Sequence, residues 1–341
     1  MPHWSLPRPA ASTQLMIRVA AEHQISEQVC VACTGLTEAQ LRDPALEVAG
    51  QQELGVLRNI MRAVGPDVAF GLEAGLRYQA TTHGMLGFAL LTSATLGNAV
   101  DTIVRYFDLS YSFNRFEFEV GGREARFFYD DSDNPDDVRA ELVERDLGAA
   151  VTFGRNLFGY TVPVLYLQLR ASKPRYFAAF ESIFGMVPQF DAPRNCMAID
   201  VEMLNLQNSL SDELSSRISE EQCRSLLESR KLQAGIAGRA RSLILQKPGE
   251  FPDMRAVAAK LGMTTRTLRN QLTRESTSYR QLVEQTREQL AEELLTTTQL
   301  SVEQVAARLG YRDSSSFIAA FKRWKGVPPG GYLRRHGGTR C

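Results

Sequence analysis

Cys30-Val31-Ala32-Cys33 has the spacing of half a zinc site or of a redox pair, and Asp130, Asp131, Asp133, Asp136 and Asp137 gather carboxylates as a cation loop does. Neither pattern closes. A second cysteine pair is missing, His3, His23, His83 and His336 are dispersed, and the segment around the cysteines is apolar, which favours core packing. The aspartates lack the glycine and the terminal glutamate of a calcium loop, and they read as a solvated loop capping the next helix. There is no glycine-rich phosphate loop, and no Ser or Cys has a base at recognisable spacing, so no enzyme, no metal and no cofactor is expected. The chemistry that remains is hydrogen bonding to a polyanion. It rests on a unit used twice: Val257-Ala258-Ala259-Lys260-Leu261-Gly262-Met263 matches Val305-Ala306-Ala307-Arg308-Leu309-Gly310-Tyr311 at an offset of 48 residues.

Each copy has the elements of a helix-turn-helix. A short amphipathic helix ends at a glycine, the residue that most cheaply takes the left-handed conformation of a tight turn. A second helix follows, packed back by Leu268 and Leu272 in the first copy and by Phe317 and Phe321 in the second, while small Ala258 and Ala306 let the helices cross closely. The exposed face of each second helix is then free to enter a DNA major groove. The two helix-turn-helix units span about 252–273 and 301–324. Between them a helix from about Tyr279 to Leu295, with Leu282, Val283, Leu290 and Leu294 on one stripe, holds them roughly 25 Å or a little more apart at ~1.5 Å per residue. Successive major grooves on one face of B-DNA recur about every 34 Å, which suits that separation.

Charge supports the same reading once the chain is divided. From Lys231 onward 19 Lys and Arg stand against 9 Asp and Glu, leaving 20 against 30 in the first 230 residues, although the 341-residue chain balances 39 against 39. A basic module is joined to an acidic one. The expected organisation is an α+β domain over 1–210, a helical connector over 211–231 and an all-α double helix-turn-helix domain over 232–341. In the first domain, helical periodicity runs through Leu15, Val19 and Ile25, through Leu54 to Val64, and through Gly84 to Val104 as two buried helices. A hairpin is expected from 114–120 and 124–130 around Gly121-Gly122, then a helix over 138–158, a strand over 162–169, a helix over 176–184 and a strand over 195–201. The N-terminus Met1-Pro2-His3-Trp4 opens no leader, and no stretch approaches the ~20 apolar residues of a membrane span, so a cytoplasmic protein is expected. Five scattered cysteines favour free thiols over disulfides.

Leu300-Ser301-Val302-Glu303-Gln304-Val305-Ala306-Ala307-Arg308-Leu309-Gly310-Tyr311, continued by Phe317, Phe321-Lys322-Arg323-Trp324, Gly326, Pro328 and Tyr332, resembles the AraC/XylS transcriptional regulators over about Leu232 to Arg335. The resemblance implies two helix-turn-helix subdomains bridged by one helix, binding to promoter DNA and activation through RNA polymerase. Gly84 to Leu96, Tyr176, Phe184-Gly185 and Phe190-Asp191-Ala192-Pro193-Arg194-Asn195 resemble the sensor domain of the branch with an arabinose-binding-type N-terminal domain, the ornithine- and virulence-type regulators. That implies a domain that responds to a small molecule and can form a homodimer.

Carried over from the motif, the base-reading face of the first recognition helix holds Thr264 as N-cap, then Thr265, Arg266, Arg269 and Asn270. The family usually places Arg where Asn270 stands, so guanine contact is expected to shift to Arg269 or Arg266, with Asn270 suited to adenine. The second helix presents Ser314, Ser315, Ser316, Ile318 and Ala319. Many members carry Arg at the place of Ala319, and Lys322 and Arg323 are placed for phosphates. In the first domain Arg77, Tyr78, Arg105, Tyr106, Tyr111 and Phe113 form a cationic and aromatic set that would suit an anionic or amphipathic effector. The expected function is a sequence-specific DNA-binding regulator, an activator responsive to a small molecule. Two other readings stay open: a ligand-independent architectural or dimerisation-controlled factor, and a DNA-tethered enzyme.

Overall fold

The computed structural model describes residues 7–43, 45–245, 251–275, 277–297 and 300–336. The N-terminal Met1-Pro2-His3-Trp4 and Cys341 lie outside them. The chain divides into two compact units, Met1–Leu227 and Glu228–Cys341.

The first unit is α+β. It opens with β1 (Arg8–Pro9), α1 (Ala11–Glu22), α2 (Glu27–Val31), α3 (Glu38–Leu41), β2 (Glu47–Val48, antiparallel to β1), α4 (Gly50–Val64) and α5 (Phe70–Gly75). Leu15, Met16 and Val19 of α1 meet Leu54, Leu57 and Ile60 of α4 in one core, which is why these helices carry an apolar residue every three to four positions. The apolar α6 (Gly84–Leu91) and α7 (Leu96–Tyr106) lead into β3 (Arg115–Gly121), β4 (Glu124–Asp130), α8 (Arg139–Phe158), β5 (Tyr166–Gln168), α9 (Ala178–Phe184) and β6 (Cys196–Asp200). The four strands form one antiparallel sheet in the order β3-β4-β6-β5. Alternate residues Ala125, Phe127 and Tyr129 of β4, with Met197 and Ile199 of β6, pack on Val143, Leu147 and Val151 of α8. Helix α5 lies against α8 at glycine contacts: a Cβ on Gly75 would fall 2.3 Å from the Arg145 carbonyl oxygen.

Several expectations shift. Gly121 pairs with Glu124, so the hairpin turn is Gly122-Arg123 rather than Gly121-Gly122, with Gly122 alone at φ +62°. β5 is shorter than 162–169 because Pro163 has no N–H to donate; pairing begins with the Leu165 amide on Ala198. The aspartate segment is solvated at Asp136 and Asp137 but pinned by arginines throughout: Arg115 holds Asp133 at 2.6 Å, Arg139 holds Asp136 at 2.6 Å, Arg58 holds Asp137 at 2.6 Å, and Arg170 bonds the buried Asp131. Nor does it cap α8, whose N-cap is Val138 with no side-chain cap bond. Cys30 is buried, but Cys33 is exposed at φ +59°. Beyond β6, α10 (Glu213–Ala234) carries Leu214, Ile218 and Leu226 exposed, while Ser219 and Cys223 are buried.

The second unit is all-helical: α11 (Ile236–Leu245), α12 (Met254–Lys260), α13 (Thr265–Arg274), α14 (Tyr279–Thr297), α15 (Val302–Arg308), α16 (Ser314–Lys325) and α17 (Pro329–His336). Val257, Ala258, Leu268 and Leu272 close one small core with Ala240 and Ile244 of α11; Val305, Ala306, Phe317, Phe321 and Tyr332 close the other. α14 serves both, giving Leu282 to the first and Ala291 and Leu295 to the second. At 19 residues and ~1.5 Å of rise each it is about 28 Å long.

Candidate nucleic-acid interface and effector cavity

The repeat is retained to the glycine and then slips. α12 and α15 keep the 48-residue offset end to end, and Gly262 and Gly310 take φ +69° and +74°. The buried pairs that follow, Leu268 and Leu272 against Phe317 and Phe321, are offset by 49 residues. One extra residue stands in the second turn.

In the first unit of the pair Thr264 is extended, at φ −77° and ψ 158°, and its hydroxyl accepts the Thr267 amide at 3.1 Å as the N-cap of α13. Arg266 and Asn270 then lie one turn apart on the face opposite Leu268 and Leu272, Thr265 and Arg269 one turn apart on the flank of that buried stripe, and all four are exposed. The side chains of Arg266, Arg269 and Asn270 make no hydrogen bond or ion pair among the described residues, so their donors are uncommitted.

The second helix differs. Asp313 caps α16 by accepting the Ser316 amide at 2.7 Å, and its other oxygen accepts a hydrogen bond from the Ser316 hydroxyl at 3.0 Å. Ser316 is thereby occupied, whereas Ser315, Ile318 and Ala319 face solvent and Ser314 is half-buried. Arg323 does not stand alone: it pairs with Glu284 of α14, which also accepts the Trp324 indole N–H at 3.1 Å. Those two bonds, the indole first, hold the Glu284 carboxyl below its ordinary range. Lys325 bridges Glu288 at 3.3 Å and Glu292 at 2.6 Å. Lys322 is exposed and makes no ion pair among the described residues.

The six effector candidates separate. Arg77 and Arg105 are surface residues paired with Glu22 at 2.8 Å and Glu220 at 3.2 Å. Tyr78, Tyr106, Tyr111 and Phe113 are buried. The cations near the buried rings are Arg8, 4.1 Å from the Phe113 centroid, and Arg145, 5.4 Å from it and 5.6 Å from that of Tyr78; of the two surface arginines, Arg105 stands 5.9 Å from Tyr106. Arg8 and Arg145 in turn share Glu53, each at 3.1 Å, and the Tyr78 hydroxyl meets Ser12 at 2.6 Å.

Of the six, Tyr111 lines a cavity, about 170 Å³, between α7, α8 and the sheet. Its walls are apolar, from Leu90, Val100, Phe127, Phe153, Leu157 and Met197. His83, which no local motif singles out, lines it too. Its ring lies 5.1 Å from Phe153, 5.5 Å from Tyr111 and 5.7 Å from Tyr78. Both ring nitrogens are shut off from solvent without a hydrogen-bond partner among the described residues. Burial, and after it the Arg145 charge, pulls the imidazole down to about 4.

Among the described residues no helix is long and apolar enough to cross a membrane, and no cluster of three His, Cys, Asp or Glu could hold a metal ion. Residues 25–208 match the model of the N-terminal arabinose-binding domain of AraC transcription regulators, and residues 257–335 match a helix-turn-helix domain. The ornithine utilization regulator of Pseudomonas aeruginosa is 29% identical over 339 residues, 95% of this chain and 95% of that one. An uncharacterized helix-turn-helix transcriptional regulator of Mycobacterium bovis is 30% identical over 332 residues, 96% of each chain. The solved transcriptional regulator CdpR of Pseudomonas aeruginosa is 23% identical, covers 95% of this chain and 98% of its own, and gives a TM-score of 0.46.

Proposed function

This chain belongs to the AraC family of transcription regulators, and from that premise we propose that it is a sequence-specific activator whose hold on promoter DNA is set by a small molecule taken up in the first unit. It is a DNA-binding transcriptional regulator and not an enzyme. The observation that carries the sensing half is the apolar cavity beside His83: a domain acting only as a scaffold gains nothing from an imidazole whose two nitrogens are shut off from solvent without a partner. On the DNA side, Thr265, Arg266, Arg269 and Asn270 read base edges, and Lys322 is the phosphate contact of the second helix, with Ser314 and Ser315 beside it. Activation runs through RNA polymerase in the cytoplasm, and Leu214 and Ile218, exposed one turn apart on α10, offer an apolar strip for a homodimer.

The test is a promoter reporter in cells. Removing residues 1–210 is expected to leave promoter occupancy in place and to abolish regulation of the reporter. A truncated chain regulated as the full-length chain is would leave the first unit no sensing role.

A further inference from the structure

We infer that the cavity of the first unit receives a small uncharged molecule, about the size of one substituted aromatic ring, to which the His83 ring, turned from its present setting, makes a directed hydrogen bond. This rests on reading that unit as an effector sensor and names the chemical class of the effector.

Size comes first. The cavity, about 170 Å³, is comparable to the engineered apolar cavity of about 150 Å³ that binds benzene. Its position is built rather than incidental. His83 ends the short 3₁₀ turn Ala80–His83, and α6 is pressed onto that turn so closely that a Cβ on Gly87 would lie 1.7 Å from the Ala80 carbonyl oxygen. The main chain that carries the imidazole is thus fixed at the wall, and the ring can turn on it.

Charge narrows the class. No Lys or Arg is among the lining residues, so an entering carboxylate would lose its water and gain no counterion. The acid that lines the cavity, Asp146, is already engaged: it accepts from Ser112 and, at 2.7 Å, from Asn114, and Arg145 stands 3.8 Å away. Both hydrogen bonds fall on Oδ2, and at Oδ1 the nearby Arg145 guanidinium repels an entering ammonium. His83, held neutral by its surroundings, offers one donor and one acceptor, which suits a hydroxyl, a carbonyl or an aromatic N–H. The polar cleft formed by Asp131, Arg139, Glu144, Arg170 and Asn195 is the weaker candidate, because Arg170 is spent on Asp131 and Arg139 on Asp136.

Calorimetric titration of the full-length chain with 4-methylphenol, toluene and 4-methylbenzoate tests the class. Saturable binding of 4-methylphenol is expected, with 4-methylbenzoate at least about tenfold weaker. His83→Phe keeps a ring but removes both nitrogens, so it should weaken 4-methylphenol about tenfold and leave toluene within about twofold. Val100→Phe fills the cavity and should remove both neutral probes, its own melting curve checking that it folds. Equal affinity for 4-methylbenzoate, unchanged 4-methylphenol binding in both variants, or no binding of either neutral probe would overturn the inference. The reporter separates this from the reading beneath it. If the neutral probes fail while regulation still needs residues 1–210, the ligand class is wrong and the sensor stands. If 4-methylphenol binds through His83 and regulation is indifferent to residues 1–210, the class stands and the sensor reading falls.

Discussion

Glu284 decides what Arg323 can offer to DNA. A phosphate approaching that guanidinium must compete with a carboxylate already on it, whereas Lys322 one residue earlier has no such partner among the described residues. In the proposed function the base-reading donors are those of the other half, Arg266, Arg269 and Asn270, because short Ser315 and apolar Ile318 and Ala319 reach base edges only weakly. Arg269→Ala should therefore relax base preference in one half-site, a good bidentate contact being worth about 1–3 kcal/mol of discrimination. Lys322→Ala should weaken all sequences alike and lower the salt slope by about one unit, while Glu284→Gln should steepen it by about as much by releasing Arg323. Selection from a randomised operator library, with salt titrations of the three variants, checks this series. If Arg269→Ala keeps every base preference, or Glu284→Gln leaves the slope unmoved, these roles are misassigned.

At the scale of elements, two glycines are required for different reasons. Gly262 sits at φ +69° with nothing within 4 Å of where a Cβ would be, so its constraint is backbone conformation alone. Gly75 has no such backbone angle but has the α8 main chain 2.3 Å from that point, so its constraint is contact. Gly262→Ala should then cost about 1–2 kcal/mol, the penalty of a left-handed alanine. Gly75→Ala should cost about 3 kcal/mol or more, since two helices must separate to admit a methyl group. Denaturation followed by circular dichroism measures both, and equal losses would refute the distinction between strain and clash. The extra residue after Gly310 belongs to this scale as well: it lengthens the second turn without disturbing either buried aromatic pair position, since Phe317 and Phe321 keep their one-turn spacing.

For the whole molecule, a net charge of zero conceals two opposed halves. The excess of 19 basic over 9 acidic residues from Lys231 onward sits on the unit that meets DNA. The full-length chain should accordingly bind promoter DNA with an affinity that falls steeply with salt, the logarithmic slope being about −0.9 for each phosphate neutralised. Binding indifferent to salt would show that the local excess does not reach the phosphates.

Much of this was legible in the sequence, because the signals were local. A seven-residue identity of pattern at a fixed offset, Gly at each turn, Thr264 before a helix and apolar residues one turn apart all follow from backbone sterics and 3.6-residue periodicity. They need no knowledge of distant neighbours. The hairpin was legible too, yet not its turn, since register depends on which strand faces meet the core and that moved the turn to Gly122-Arg123. What only the tertiary structure decided lies between residues far apart in the chain. Glu284 reaches Arg323 across 39 residues, Arg8 and Arg145 rather than Arg77 supply the cations beside Phe113, and Asp131 finds Arg170. The cavity is of the same kind. Its walls come from residues 83 to 199, and a space left unfilled between α7, α8 and a sheet has no pattern along the chain, because it is set by how those elements pack and not by any one of them.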